Sequence, residues 1–248
     1  MKRQKLHLGV LAIAAMASLL FVPAASASLV GTLDVANCPG DGVNVLAGSI
    51  DWLPAGTGTG CIQTGSKTAV LYGPGLTTNL GSAVPGTIVD LTTPAGGTVA
   101  DFMMFVNGTS TVFFDLTGIG PGVNNGICAA TLNPNLASCS IGGGTATPSP
   151  FILAPTSTGT TVTLSAFGLA HNTLTPADPN DIWFGAFTTQ IANQTPLQIE
   201  NTILGGGAIN STFSGEFILQ AVPEPVSMAL IGGGLMALAL LRRRSRRA

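Results

Sequence analysis

The chain has 248 residues, of which 46% are hydrophobic and 8% charged, with 33 glycines and a formal charge of −2. Its apolar residues are too abundant and too regularly placed for a disordered chain. Of nine basic residues only Lys67 lies between 28 and 222, against ten acids, a balance near −9 that excludes nucleic-acid binding, since phosphate contacts need Lys or Arg.

Lys2, Arg3 and Lys5 form a basic start, Leu8 to Val22 an apolar stretch, and Ala25-Ser26-Ala27 a small-residue cleavage site. These are the three parts of a secretory signal peptide, residues 1–27. Signal peptidase cutting after Ala27 leaves Ser28 as the mature N-terminus. Residues 28–222 then form one extracytoplasmic domain, long enough for a single sizeable core.

Asn37–Gly65 reads as an irregular loop containing Cys38 and Cys61, and Gly118–Pro150 as another containing Cys128 and Cys139. An even cysteine count in an exported chain implies two disulfides. Three pairings exist. The expected one is Cys38–Cys61 with Cys128–Cys139, since each closes a Gly/Asn/Pro-rich loop that has no core of its own to order it. None of the four stands in a Cys-x-x-Cys, which argues against a cysteine metal site.

Strands are expected over Thr68–Tyr72, Thr87–Leu91, Phe151–Ala154, Thr160–Leu169, Asp181–Thr189 and Thr212–Leu219. The clearest local signal is Asn107-Gly108 between Asp101–Val106 and Thr109–Leu116, because a two-residue hairpin turn needs positive φ at both central residues. That loop sets Val106 opposite Thr109 and Phe102 opposite Phe113. Phe102, Met104, Val106 and Phe113 then share one face, and Met103, Phe105, Val112 and Phe114 the other. Two apolar faces predict strands covered on both sides. Thr195-Pro196-Leu197-Gln198 fits a capping box opening a short helix, with Leu197, Ile199, Ile203 and Leu204 as apolar contacts and Gly205 as the left-handed residue at its end. Many short strands separated by Gly and Pro turns point to an all-β antiparallel β-sandwich, jelly-roll or Ig-like, with one short helix.

Catalytic candidates are few. His171 is the one histidine of the mature domain, and no Gly-x-Ser-x-Gly elbow accompanies it, so it reads as a loop residue after a strand. A glycosidase needs two carboxylates about 5–10 Å apart. Asp181 and Glu216 are candidates on neighbouring strands, with Trp52, Trp183 and Tyr72 as sugar platforms. Asp178-Pro179-Asn180-Asp181 offers oxygen ligands from Asp178, Asn180 and Asp181 that suit calcium. The same residues also suit a plain Asx turn. No other cofactor is expected.

The chain closes with Pro223-Glu224-Pro225, an apolar run from Val226 to Leu241, then Arg242, Arg243, Arg244, Ser245, Arg246 and Arg247. Sixteen helical residues reach about 24 Å, a little short of a hydrocarbon core of about 30 Å. Arginines directly after such a span stay on the cytoplasmic side. In its parts, their order and their place at the chain end, segment 223–248 resembles the PEP-CTERM sorting signal of Gram-negative bacteria. The resemblance is confined to this tail. It implies that an exosortase cuts near Pro223-Glu224-Pro225 after a transient inner-membrane stage, and that the protein reaches the cell surface or extracellular matrix. The alternative is a permanent C-terminal anchor. The family's association with exopolysaccharide suggests a non-enzymatic surface or matrix protein that associates with glycan. A secreted hydrolase of matrix polysaccharide is the rival reading.

Overall fold

The computed structural model describes residues 29–221 except 55–57, 93–96, 124–125, 144, 146–147 and 176–180, and also Gly233 and Gly234. The strands run in chain order: β1 (Leu29–Asn37), β2 (Val43–Val45), β3 (Ile50–Trp52), β4 (Thr59–Thr64), β5 (Ala69–Tyr72), β6 (Thr78–Asn79), β7 (Pro85–Val89), β8 (Val99–Asn107), β9 (Ser110–Ile119), β10 (Cys139–Ser140), β11 (Ile152–Pro155), β12 (Gly159–Asn172), β13 (Asp181–Ala192), β14 (Ile209–Ser211) and β15 (Ser214–Gln220). The helix, α1 (Pro196–Leu204), lies between β13 and β14.

Most of the longer strands alternate buried and less buried residues, as strands with one inward face must. They hydrogen-bond in the antiparallel order β1-β4-β7-β8-β9-β12-β13-β15 and return to β1. The result is a closed eight-stranded barrel, not the expected sandwich. The joint that overturns the sandwich is β9 with β12, where Val112 to Ile119 pair with Asn172 to Ala166. In a sandwich those strands would sit in facing layers. Closure leaves a single interior and removes the barrel's free edges.

Two strands are long enough to serve two partners along one edge, besides the partner on the other. β12 pairs β11 over Thr160–Thr163 and β9 over Ala166–Asn172. β1 pairs β5 over Leu29–Thr32 and β4 over Val35–Asn37. A separate sheet, β14-β2-β3, and α1 pack beside the barrel.

Aromatic rings fill the interior. Trp183, Phe217, Phe187, Phe102, Phe105 and Phe114 meet edge to face with centroids 4.9–6.2 Å apart, the arrangement ring quadrupoles favour. Trp52 extends the cluster from β3, 5.1 Å from Phe187. Gly168 makes this possible, because a Cβ there would lie 2.8 Å from Trp183 Nε1 and against the Asp115 carbonyl.

The hairpin forms one residue later than expected. Asn107 pairs with Ser110, Val106 with Thr111 and Met104 with Phe113, so the turn residues are Gly108 and Thr109. The faces survive except at Phe102, because pairing shifts by two positions and keeps parity only as far as the register shift between Val99 and Met103. They are not both covered. Met103, Phe105, Val112 and Phe114 point into the barrel, whereas Val106 is 52% exposed. Phe102 is buried as well, beside Asp101 at φ 52° and a register shift between Val99 and Met103.

Asn37–Gly65, expected to be irregular, carries β2, β3 and β4, and β1 and β14 are further strands the sequence reading missed. Gly118–Pro150 has only β10 and the end of β9 among its described residues. Both disulfides pair as expected: Cys38–Cys61 with Cα atoms 5.5 Å apart, and Cys128–Cys139 at 5.2 Å. They fit folding in an oxidising, exported setting.

In α1, Thr195 Oγ1 accepts the Gln198 N–H at 3.2 Å and Gln198 Oε1 accepts the Thr195 N–H at 2.8 Å, the expected capping box. Its end differs. Gly205 keeps a negative φ and Gly206, at φ 83°, is the left-handed residue. Gly206 and Gly207 donate to Ile203 and Thr202, a Schellman closure. Ile199 and Ile203 are buried, while Leu204 is 62% exposed and makes no core contact of the kind expected.

The chain divides into two compact units, Ala27–Val222 and a second made of Met1–Ser26 with Pro223–Ala248. Among the described residues no helix is long and apolar enough to cross a membrane. The expected leader and sorting tail lie outside the described residues, Gly233 and Gly234 apart.

Candidate functional site

The residues that carry sugar-platform and acid-pair expectations are dispersed or buried. Trp52, Trp183 and Tyr72 are 2%, 0% and 0% exposed, so all three are core residues. The Tyr72 hydroxyl is bonded to Ser110 Oγ at 2.6 Å. In the β13–β15 register Ile182 faces Gln220 and Ala186 faces Glu216. Asp181 is therefore five rows from Glu216, roughly 17 Å at strand spacing, too far for a glycosidase pair.

His171 belongs to β12 rather than to a loop. Its ring stacks on Phe113, centroids 4.9 Å apart and planes 15° apart, and Nδ1 lies 3.7 Å from Asp115 Oδ2. Histidine and aromatic stand directly opposite in the β9–β12 register. No serine or cysteine hydrogen bond to His171 occurs among the described residues.

Of the three calcium candidates, Asp178 and Asn180 lie outside the described residues. Asp181 is 1% exposed, and its Oδ2 accepts the Leu29 N–H at 2.5 Å. The side chain is turned into the fold. A second cluster, Cys38, Asp41 and Cys61, brings ligand-type atoms within 4.8 Å, but both sulfurs are joined in a disulfide and offer no thiolate.

Asp90 carries the one resolved pKa shift among the described groups. Burial raises its carboxyl above the ordinary value, the Trp52 N–H donating at 2.8 Å opposes this, and the Asp51 charge adds to the rise. It is a structural carboxyl, joined to the backbone of β3.

The outer wall holds what the sequence reading missed. Phe167, Phe184 and Ile218, on β12, β13 and β15, stand side by side in register, 46%, 39% and 45% exposed. Ile182, also 45% exposed, follows on β13. The Phe167 ring lies over Gly118, its direct partner on β9, where any Cβ would collide with it. Thr117, Glu216 and Gln220 are exposed at the margin. Lys67 is near Glu216, Nζ to Oε2 4.0 Å, and both side chains are solvent-exposed. The available signal was Phe167 in Thr163-Leu-Ser-Ala-Phe167, an aromatic on the polar side of an alternating strand. A crevice lined by Val43, Val45, Leu153, Val162, Ile199 and Ile209, beside α1, is apolar and holds no titratable group.

Comparison of the chain with protein-family models, with characterised proteins and with solved structures finds no match.

Proposed function

We propose that this is an exported, non-enzymatic surface or matrix protein that an exosortase sorts and that associates with exopolysaccharide. The observation that carries the reading is the tail: Pro223-Glu224-Pro225, the apolar Val226–Leu241 and the terminal arginines, in that order. Signal peptidase and the exosortase are its processing partners. The inner membrane is a transient stop on the way to the cell surface or matrix of a Gram-negative bacterium.

The row Phe167–Phe184–Ile218 supports the glycan part. Exposed rings offer faces on which the C–H face of a sugar can stack, and Thr117 and Gln220 supply hydrogen-bonding groups beside them. With one lysine against ten acids in 28–222, the polymer that fits is neutral rather than anionic. The dispersal of Asp181 and Glu216 and the burial of Trp52 and Trp183 favour binding over the hydrolase alternative.

Two measurements test this. Intact-mass analysis of the envelope and medium fractions should find protein ending near Pro223, without arginines; full-length tail throughout would support the permanent anchor instead. Exported protein should be retained on immobilised neutral exopolysaccharide, and Phe167→Ser with Phe184→Ser should abolish retention at unchanged melting temperature. Shortening of the polymer on incubation would favour the hydrolase.

A further inference from the structure

Lys67, the one lysine between residues 28 and 222, is held in a defined place. Its turn between β4 and β5 is fastened to Asp34 on β1. The N–H groups of Gly65 and Lys67 donate to the carbonyl and to Oδ2 of Asp34, at 2.6 and 3.2 Å. The Thr68 hydroxyl donates to the same carbonyl at 2.8 Å. Asp34 in turn lies directly opposite Glu216 on β15. The Lys67 ammonium thereby comes 4.0 Å from Glu216 Oε2, with the two side chains 73% and 62% exposed.

Stability does not account for this arrangement. An ion pair so exposed contributes little, and two acids facing each other across paired strands are destabilising. At 4.0 Å the contact is also longer than a hydrogen bond. The carboxylate therefore keeps lone pairs, and the ammonium keeps protons, for a third party. A hydroxyl both donates and accepts. Two hydroxyls on adjacent carbons match the pair, one donating to the carboxylate and the other accepting from the ammonium.

The pair borders the exposed row Phe167–Phe184–Ile218. Glu216 and Ile218 are two residues apart on β15 and so share its outer face. Ile218 is paired with Phe184, and Glu216 with the next outward residue of β13, Ala186. Diagonal neighbours on one face of a sheet are about 7–8 Å apart, within reach of long side chains. A pyranose resting its C–H face on Phe184 and Ile218 therefore presents the hydroxyls of its ring edge to Glu216 and Lys67.

We propose that Glu216 and Lys67 are the polar half of the glycan site and select a hexopyranose with unsubstituted hydroxyls on adjacent carbons. The inference rests on the reading of the Phe167–Phe184–Ile218 row as a face for neutral glycan. Its consequence is selectivity for linkage. A 1,4-linked hexose polymer keeps adjacent 2- and 3-hydroxyls on every residue. A 1,3-linked polymer has lost that pair within the chain, because the linkage occupies the carbon between its 2- and 4-hydroxyls.

The experiment titrates the exported protein with β-1,4-linked cellohexaose and mannohexaose and with β-1,3-linked laminarihexaose, beside retention on immobilised neutral exopolysaccharide. At least one 1,4-linked hexamer should bind about tenfold or more tighter than laminarihexaose, since hydrogen bonds to charged groups are the stronger ones. Glu216→Gln and Lys67→Met should each remove that preference at unchanged melting temperature, whereas Phe184→Ser should weaken all binding alike. Equal affinity for the three hexamers, or a preference that survives both substitutions, overturns the assignment. So does a protein that the polymer retains but no hexamer binds. A protein held by neither hexamers nor polymer loses the glycan reading itself, and this assignment with it.

Discussion

The indole N–H of Trp183, on β13, donates to the backbone carbonyl of Asp115, on β9, at 3.0 Å, and to that of Leu169 at 3.1 Å. The two carbonyls lie on the paired strands β9 and β12, so one side chain ties three barrel strands together. This happens where the β9–β12 register shifts, between Phe167 and Gly168. Trp183→Phe should therefore cost about 2–4 kcal/mol, from the smaller ring and two carbonyls left without this donor. Gly168→Ala should cost a further about 1–3 kcal/mol, because its Cβ would strike the Asp115 carbonyl. Urea denaturation of each variant measures both.

The two faces of the Asn107–Ser110 hairpin should respond differently to truncation. Phe105 is 0% exposed and packs on Phe114, so Phe105→Ala should cost about 3–5 kcal/mol. Phe113 faces outward against His171, and Phe113→Ala should cost less than about 2 kcal/mol. Equal losses would mean that the outer face of β9 is covered after all.

Non-reducing peptide mapping should recover Cys38 linked to Cys61 and Cys128 linked to Cys139. Replacing either pair by serine should destabilise by about 3 kcal/mol, chiefly by freeing the unfolded chain. The Cys128–Cys139 variant should also show raised amide exchange across 126–143, which contains little strand structure among its described residues.

Asp90 sets one part of the pH dependence. With a folded-state pKa above the unfolded one, its contribution is fully present below the unfolded carboxylate pKa and is lost as pH rises through the folded value. Asp90→Asn retains an oxygen for the Trp52 N–H and removes the titration. The melting temperature of Asp90→Asn minus that of the parent should therefore increase as pH is raised from 3 to 7. A difference independent of pH would show that Asp90 is as well accommodated charged as neutral.

Local chemistry was legible wherever the deciding contacts are near in sequence. Asn107-Gly108 announced a hairpin, Thr195 to Gln198 a capped helix, and Thr161-Val-Thr-Leu-Ser an alternating strand. Loop closure favoured one cysteine pairing of three, and the fold decided it. Short strands whose partners lie far away, such as β2 with β14, had no comparable signal. A three-residue strand forms only because another segment supplies its hydrogen bonds.

The sequence by itself determined the alternation of its longer strands, the cap of α1, the charge segregation, and the motifs at its two ends. Tertiary structure decided that β9 meets β12 and that the sheet closes. An alternating strand satisfies a sandwich and a barrel equally, since both need only one buried face. The choice lies in which edge finds a partner, and that depends on twist and register summed around eight strands. The same closure determined which aromatics became core and which became surface. Trp183 and Trp52 went inside, while Phe167 and Phe184, at outward positions of their strands, remained in contact with water.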